Sequence, residues 1–214
     1  MSDDKNTIAF FDFDGTLTKG DTFMPFLKFV VGAPRYYVGL LWLSPIFFAY
    51  LLSLISNEKA KEVVIRYYVR GFEYDHLLRL GVEFFQKVLT KKLCSRMIKN
   101  LEWHQERGHR CVIVSASPAI YINHFGEQYN FSDVLATELE VSEGKVTGNL
   151  QGKNCYGFEK LRLVREYSVR FPCSYTYAYG DSNGDKPMLM WVDKGLFVQR
   201  KKIYICVKVK IENV

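Results

Sequence analysis

The sequence lacks the cysteine patterns of disulfide-stabilised and zinc-binding proteins. It contains five cysteines, an odd number, and no two of them form a CxxC pair. A disulfide framework pairs its cysteines, and a structural zinc site needs closely spaced ligands. We therefore expect a reducing compartment and predict a cytoplasmic protein. His104 and His109 have no cysteine at ligand spacing, so we interpret them as surface residues at a helix end.

Targeting, repeat and nucleic-acid signals are also missing. Residues 1–6 are polar and partly acidic, which is unlike a signal peptide, and no internal repeat or low-complexity segment is evident. The net charge is +6, but no recognised nucleic-acid motif accompanies it. A basic surface attracts anions such as phosphorylated metabolites and acidic lipid headgroups. We predict a phosphorylated small-molecule or lipid substrate and no nucleic-acid partner.

Short apolar runs alternate with helical patterns along most of the 214 residues. A hairpin turn is expected at 143–145, and helices are expected over 83–107 and 158–169. The predicted strands cover residues 8–12, 111–114, 134–141, 175–179 and 196–198. Strands that alternate with helices predict an α/β fold, here a Rossmann-like parallel sheet sandwiched by helices.

Polar side chains follow three of the predicted strands. Asp12, Ser115 and Asp181 each come just past an apolar run, at the edge where open α/β sheets bind ligands. Asp12 and Asp14 are two residues apart and can face the same side. Such a pair can bind a cation or divide the work of nucleophile and acid/base. The alternative is a pair of surface aspartates at a turn.

The other candidate polar residues also have both a functional and a purely structural interpretation. The hydroxyl of Ser115 and nearby backbone N–H groups could hold a phosphate oxygen, or Ser115 could cap a helix. Lys160 could neutralise phosphate charge or be a solvated helix residue. Asp181 and Asp185, four residues apart, would share a face if helical and would suit magnesium. They could equally form a plain acidic loop.

The combination of these segments is more specific than any one of them. The order is Asp12 to Thr16, then Ser115, then Lys160, then Gly180 to Asp185. It closely resembles the four motifs of the haloacid dehalogenase-like (HAD) hydrolase superfamily, subfamily IB, which is phosphoserine-phosphatase-like. The resemblance covers residues 8–18 and 108–189. It implies a Mg²⁺-dependent phosphatase that works through an aspartyl-phosphate intermediate.

The resemblance implies catalytic roles for the first motif. Asp12 resembles the nucleophile, and Asp14 resembles the acid/base that protonates the leaving oxygen and then activates water. Asp12 and the backbone carbonyl of Asp14 are also implied as metal ligands. The superfamily's dehalogenases and P-type ATPases do not place an aspartate two residues after the nucleophile. Asp14 therefore favours hydrolysis of phosphate esters.

The remaining motifs resemble the phosphate and metal sites. Ser115, Ala116 and Lys160 are implied as the phosphate-binding residues. Asp181 is implied as a Mg²⁺ ligand, and Asp185 as the acidic residue that supports the metal site. A divalent cation and a lysine would offset the repulsion between a carboxylate and a phosphate dianion.

The resemblance also divides the chain into a core of residues 1–18 and 85–214 and an inserted α-helical C1-type cap of residues 19–84. Asp21 and Asn183 are candidate substrate contacts. The sequence departs from phosphoserine phosphatases at Gly184, where an asparagine is usual. It also lacks an evident cap arginine for the substrate carboxylate, and Arg66 and Arg70 are the alternative candidates for that role.

The cap contains an apolar segment, residues 23–56, and residues 36–57 carry no charge. A single membrane crossing there would separate Asp12 from its partners later in the chain. Two interpretations remain open. One is a helix, kinked at Pro45, that is buried in the cap or in a dimer interface. The other is a monotopic hairpin with arms 23–31 and 36–56, peripheral at the inner face of the membrane.

The apolar cap resembles that of C-type phosphatidylglycerophosphatases, which implies a lipid phosphate such as phosphatidylglycerophosphate. The alternative substrate is a small soluble phosphomonoester such as phosphoserine. A non-catalytic membrane-surface module is disfavoured because every catalytic group is present. Residues 200–214 alternate apolar and basic side chains and predict an edge strand. The sequence specifies no oligomeric state.

Overall fold

A computed structural model describes residues 6–199 and 203–206 of the chain. Seven strands form one sheet in the order β4-β3-β2-β1-β5-β6-β7. Their bounds are β1 Thr7–Phe11, β2 Arg110–Pro118, β3 Asp133–Ser142, β4 Lys145–Gln151, β5 Tyr175–Gly180, β6 Lys194–Val198 and β7 Ile203–Cys206.

Within the described residues, nine α-helices surround or extend from the sheet. They are α1 Phe23–Val31, α2 Ala33–Trp42, α3 Ser44–Leu51, α4 Asn57–Val69, α5 Tyr74–Lys87, α6 Ser95–Gln105, α7 Ala119–Gln128, α8 Phe158–Arg170 and α9 Lys186–Trp191. The six helices α1 to α6 all lie between β1 and β2 in the sequence. Mostly parallel strands with flanking helices confirm the predicted α/β class.

The strand order reverses beside β1. Strands β2 and β3 add in parallel on one side of β1, whereas β5 and β6 add in parallel on the other. The outer strands β4 and β7 are antiparallel to their neighbours. A reversal of this kind opens a crevice at the carboxyl ends of the central strands. The segments after β1 and β5 therefore meet at the place where such sheets bind ligands.

Strand β1 explains why the sheet is buried on both sides. Ile8 and Phe10 pack into one hydrophobic cluster, and Ala9 and Phe11 pack into the other. Side chains alternate between the faces of a strand, so a continuous apolar run supplies both layers.

The helix expected over 83–107 is wrong as a continuous element. The chain forms α5, a 3₁₀ turn over Leu89–Lys92, and then α6. Between the last two, Leu93 forms an isolated bridge with Thr18, and the backbone N–H of Cys94 donates to the Leu17 carbonyl at 2.9 Å. This pairing with a distant segment replaces helical hydrogen bonds, so the helix is interrupted although the sequence pattern continues.

His104 and His109 are not surface residues, contrary to our expectation. His104 is fully buried, and its Nδ1 lies 2.7 Å from Nδ1 of His109. Its Nε2 lies 2.9 Å from the hydroxyl of Tyr179 on β5. The helix end on which His104 lies packs against the sheet, and that contact is set by tertiary structure.

The apolar segment 23–56 divides into two parts with different surroundings. Helix α1 packs inward, with Phe26 and Leu27 buried, so it is not an arm of an exposed hairpin. Helices α2 and α3 meet at a break just before Pro45, and most of their apolar side chains are exposed. Burial of this part within its own cap is therefore wrong. Among the described residues, no helix combines the length and apolar character needed to cross a bilayer.

The predicted edge strand over 200–214 is confirmed for its described part. Strand β7 pairs antiparallel with β6 at the end of the sheet. The basic positions Lys208 and Lys210 lie outside the described residues. The bounds predicted for core and cap stay a prediction.

Candidate active site

Asp12 follows the last residue of β1, and its position is set by the sheet. Its backbone N–H donates to the Tyr179 carbonyl of β5 at 2.8 Å. The chain then turns through Phe13–Leu17, where Gly15 has a φ of +79°. A Cβ at Gly15 would clash with Oδ2 of Asp181, so glycine is required for both the backbone conformation and the close approach.

Lys160 joins two buried carboxylates. It lies in the first turn of α8, and its Nζ lies 2.5 Å from Oδ1 of Asp12 and 2.6 Å from Oδ1 of Asp185. Burial raises the pKa of Asp12 well above its ordinary value, and Asp185 raises it further, while Lys160 opposes both. Burial lowers the pKa of Lys160, but Asp12 and Asp185 outweigh it and hold the lysine protonated.

Asp181 and Asp185 approach each other through a loop and not through a shared helix face. Helix α9 begins only at Lys186. Oδ2 of Asp185 accepts from the backbone N–H of Asp181 at 3.2 Å and of Ser182 at 2.9 Å, and from the Ser182 hydroxyl at 2.6 Å. The buried Asp185 thus holds the loop that presents Asp181.

Asp14 is held by three donors from the other side of the cavity. Its Oδ1 accepts from the backbone N–H of Thr22 at 2.7 Å and from the Thr22 hydroxyl at 2.6 Å, and its Oδ2 accepts from the Ser117 hydroxyl. Burial raises the pKa of Asp14, and the nearby charge of Asp21 raises it further, against these hydrogen bonds. A carboxyl group with a raised pKa is suited to donate a proton.

The turn at the end of β2 places backbone groups at the same site. The Ser115 hydroxyl is buried and accepts from the Ser117 backbone N–H at 3.0 Å. Ala116 and Ser117 line the cavity, whereas the buried Ser115 is not part of its lining.

A cavity of about 370 Å³ brings most of the sequence-predicted residues together. Asp12, Asp14, Asp21, Ala116, Lys160 and Asp181 line it. Asp185 is buried behind this wall, and Asn183 is exposed outside it. The carboxylate of Asp21 also accepts from backbone N–H groups at the start of α1, from Phe23 at 3.3 Å and Met24 at 3.1 Å.

Neither candidate cap arginine reaches the cavity. Arg66 is exposed and donates to Oδ1 of Asn149 at 2.5 Å, and Arg70 is exposed too. Position 184 has no room for a side chain, because a Cβ there would clash with the ring of Tyr156, which lines the cavity. The absence of a side chain at Gly184 therefore leaves room for the Tyr156 ring in the cavity wall.

Sequence reasoning missed several residues of the cavity, of which Lys61 on α4 is the most prominent. Ser117 and Tyr156 of the cavity were missed as well, and so was Thr22, which holds Asp14 from outside the lining. No short motif marks these positions. Lys61 shares α4 with four other charged residues, Glu58, Lys59, Glu62 and Arg66, so its charge did not distinguish it in the sequence.

The donor set fits a divalent cation. Carboxylate oxygens of Asp12, Asp181 and Asp185 all lie within 4.8 Å of one another. Burial, followed by the charge of Asp185, raises the pKa of Asp181 to about 6. Lys160 supplies one positive charge for these three closely spaced carboxylates, and a hard cation with oxygen ligands would offset the negative charge that remains.

Comparison with known proteins decides the family. Residues 9–190 match the model of the haloacid dehalogenase-like hydrolase family. The chain belongs to that family. It is 33% identical to Protein CicA of Caulobacter vibrioides over 197 residues, which cover 90% of this chain and 86% of CicA.

Other comparisons place the chain within the family. It is 25% identical to phosphoserine phosphatase SerB1 of Mycobacterium tuberculosis, over 88% of this chain and 63% of that protein. A solved structure of a protein of unknown function from Bordetella pertussis has a TM-score of 0.77 at 21% identity, with 88% of this chain and 87% of that chain covered. The chain is thus a HAD-type phosphatase, and it is similar to a phosphoserine phosphatase of that family.

Proposed function

We propose that the protein hydrolyses phosphate monoesters with the help of Mg²⁺ and through an aspartyl-phosphate intermediate. One observation carries the proposal. At the strand-order reversal, Asp12 faces the cavity with Lys160 at 2.5 Å, and Asp181 and Asp14 border the same space. A nucleophile, a cation and a proton donor are therefore within reach of one substrate phosphate.

In the first step, an oxygen of the Asp12 carboxylate attacks phosphorus. The P–O bond to the leaving group breaks, and the protonated Asp14 gives its proton to the leaving oxygen. The raised pKa of Asp14 supports this role. Ser115, Ala116 and Lys160 bind the phosphoryl oxygens while negative charge develops on them.

In the second step, the deprotonated Asp14 takes a proton from water. The water oxygen attacks phosphorus, and the bond between Asp12 and phosphorus breaks. This returns the Asp12 carboxylate and releases inorganic phosphate. Thr22 and Ser117 hold Asp14 in one orientation for both transfers.

Asp12, the backbone carbonyl of Asp14 and Asp181 would hold Mg²⁺, and Asp185 supports the loop of Asp181. The bound cation would screen the charge of the phosphate and of the carboxylates around it.

For the substrate, we propose a lipid phosphate. Support comes from the α2–α3 patch, which we define by its exposed apolar side chains: Tyr37, Val38, Leu41, Trp42, Phe48, Leu51, Leu52 and Leu54. Leu41 is 75% exposed, Trp42 73% and Leu51 77%. Patches of this kind on a water-soluble surface are unusual and mark interaction sites.

Two observations connect the α2–α3 patch with a membrane surface beside the active site. The hydroxyl of Tyr50 on α3 accepts a hydrogen bond from Asn57 at 3.0 Å, and Asn57 lines the cavity. Lys28 lies beside the patch and donates to the Tyr37 hydroxyl at 2.8 Å. Lysine and interfacial aromatic residues suit the anionic face of a bilayer. We place the protein at the cytoplasmic face of the membrane, in contact through α2 and α3.

A small soluble phosphomonoester is the second candidate. SerB1 is named a phosphoserine phosphatase, and phosphoserine would need a cation for its carboxylate. Arg66 and Arg70 are exposed, so neither is placed to bind that carboxylate in the cavity.

The test is a hydrolysis screen of the purified protein with Mg²⁺. It compares phosphatidylglycerophosphate and phosphatidic acid in mixed micelles with phosphoserine and other soluble esters. We expect kcat/KM for a lipid phosphate to exceed that for each soluble ester. A preference for phosphoserine would contradict the lipid assignment, and no hydrolysis of any ester would contradict phosphatase activity itself.

A further inference from the structure

Lys61 is a second cation in the cavity, and it comes from the segment between β1 and β2. It lies in the second turn of α4, and its Nζ donates to the Ala116 carbonyl at 2.5 Å and to Oδ1 of Asn154 at 2.8 Å. Ala116 belongs to the turn whose backbone is proposed to bind phosphate. The ammonium group of Lys61 is therefore anchored directly beside that turn.

Asn154 fixes this arrangement from the core side. It is buried, and it contacts three residues of α4. Its backbone N–H donates to the Glu58 carboxylate at 2.9 Å, its Nδ2 donates to Asn57 at 2.7 Å, and its Oδ1 accepts from Lys61. The Thr137 hydroxyl donates to the same Oδ1 at 3.0 Å. These hydrogen bonds of Asn154 hold α4, and Lys61 with it, against the core.

The charge of Lys61 is not balanced in the way that the charge of Lys160 is. Both of its hydrogen-bond acceptors are neutral, and among the described residues no carboxylate lies at ion-pair distance from its Nζ. Burial lowers the pKa of Lys61 to about 8, although Asp14 raises it. A partly buried cation without a counter-ion is costly, and an incoming anion would relieve that cost.

Lys61 also has a hydrogen-bond donor left. An ammonium group has three N–H donors, and Ala116 and Asn154 use two of them. The ring of Phe23, which also lines the cavity, lies 5.6 Å from Nζ on one side. The remaining N–H is available to a ligand in the cavity that Lys61 shares with Asp12 and Lys160.

We propose that Lys61 is a substrate-binding residue that donates to a phosphoryl oxygen of the substrate, so that α4 contributes a phosphate ligand to the active site. This inference rests on the proposed phosphatase function. It adds to that function a second cation, Lys61, for the transferred phosphate. Lys61 is in place only while Asn154 holds α4 against the core.

The test compares Lys61→Met and Lys61→Gln with Lys59→Met. Lys59 lies on the same helix and is exposed, so its replacement removes the same charge without touching the cavity. The measurements are the dissociation constant of inorganic phosphate by titration calorimetry with Mg²⁺, and KM for esters with neutral and with anionic leaving groups. Thermal melting of each variant checks that it is folded. Lys61→Gln is included because it keeps a hydrogen-bond donor for the Ala116 carbonyl, which methionine does not.

Loss of a charge-assisted hydrogen bond is expected to weaken phosphate binding at least about tenfold in both Lys61 variants and to raise KM for all esters alike. Lys59→Met should match the wild type. Unchanged phosphate binding, or an effect confined to esters with an anionic leaving group, would overturn the inference while leaving the phosphatase function intact. A wild type that hydrolyses no ester would overturn both.

Discussion

The ammonium nitrogen of Lys160 lies 2.5 Å from Oδ1 of Asp12, although 148 residues separate them in the sequence. The same nitrogen lies 2.6 Å from Asp185, so one buried cation holds two buried carboxylates. A cluster of this kind costs desolvation energy, and it is stable only while every member is present.

Replacement Asp12→Asn should abolish ester hydrolysis, because an amide is nearly isosteric with the carboxylate but is a poor nucleophile. Steady-state turnover and thermal melting are the measurements. The control is Asp75→Asn, which changes an exposed aspartate on α5 and should leave both unchanged. Wild-type turnover in the Asp12 variant would refute the covalent mechanism.

Mg²⁺ should be required for turnover and should also raise the melting temperature of the wild type, because a ligand that binds only the folded state stabilises it. EDTA should remove both effects, and Ca²⁺ should replace Mg²⁺ poorly since its coordination is larger and looser. In Asp181→Asn the Mg²⁺-dependent rise in melting temperature should be lost or greatly reduced. Full turnover after thorough chelation would argue against the metal site.

Lys160→Met should destabilise the fold as well as abolish turnover. It leaves Asp12 and Asp185 buried together without a cation, a change that typically costs about 3–5 kcal/mol. Denaturant unfolding without Mg²⁺ measures the loss. Lys153→Met, at an exposed position shortly before α8, should leave the free energy of unfolding near that of the wild type. Equal stability of the two variants would mean that Lys160 does not hold the cluster.

The α2–α3 patch should bind anionic vesicles. We expect the double variant Trp42→Ser and Phe48→Ser to lose vesicle binding in flotation assays and to keep its melting temperature, because both side chains are exposed. Phe47 is a poorer choice, since it is half-buried against the core. Turnover of a lipid phosphate should fall more than turnover of a soluble chromogenic ester.

The control for this experiment is Leu43→Ser. Leu43 lies next to Trp42 but is buried, so its loss should cost about 2–5 kcal/mol of stability through lost burial and a cavity. Wild-type protein that floats with neither anionic nor neutral vesicles would exclude membrane contact through the patch. If the wild type forms a dimer as its concentration rises and the double variant does not, the α2–α3 patch would be a dimer interface instead.

Stability should fall on acidification because of His104. Burial and the neighbouring His109 lower the pKa of His104 from 6.5 to about 3. Between these two values the unfolded chain binds a proton that the folded protein excludes, so the free energy of unfolding decreases as pH falls below 6.5. The contribution is at most about 1.4 kcal/mol per pH unit. Melting curves from pH 7.5 to 5 should show a shallower decrease in His104→Gln, and identical slopes would contradict the prediction.

The sequence by itself determined the α/β class and the residues at the strand ends. Apolar runs of strand length predicted five of the strands, because a strand buried on both faces needs a continuous hydrophobic sequence. The carboxyl ends of parallel strands share one edge of a sheet, so Asp12, Asp14 and Asp181 could be placed together before their distances were known. The resemblance to a known family added Lys160 and Asp185.

Only the tertiary structure decided which other side chains are buried or reach the site. His104 is buried because α6 packs on the sheet, α1 is buried while α2 and α3 are exposed, and Lys61 enters the cavity because Asn154 holds α4. These outcomes depend on contacts between residues far apart in sequence. A local pattern reports the polarity and periodicity of a segment, and it does not report what that segment packs against.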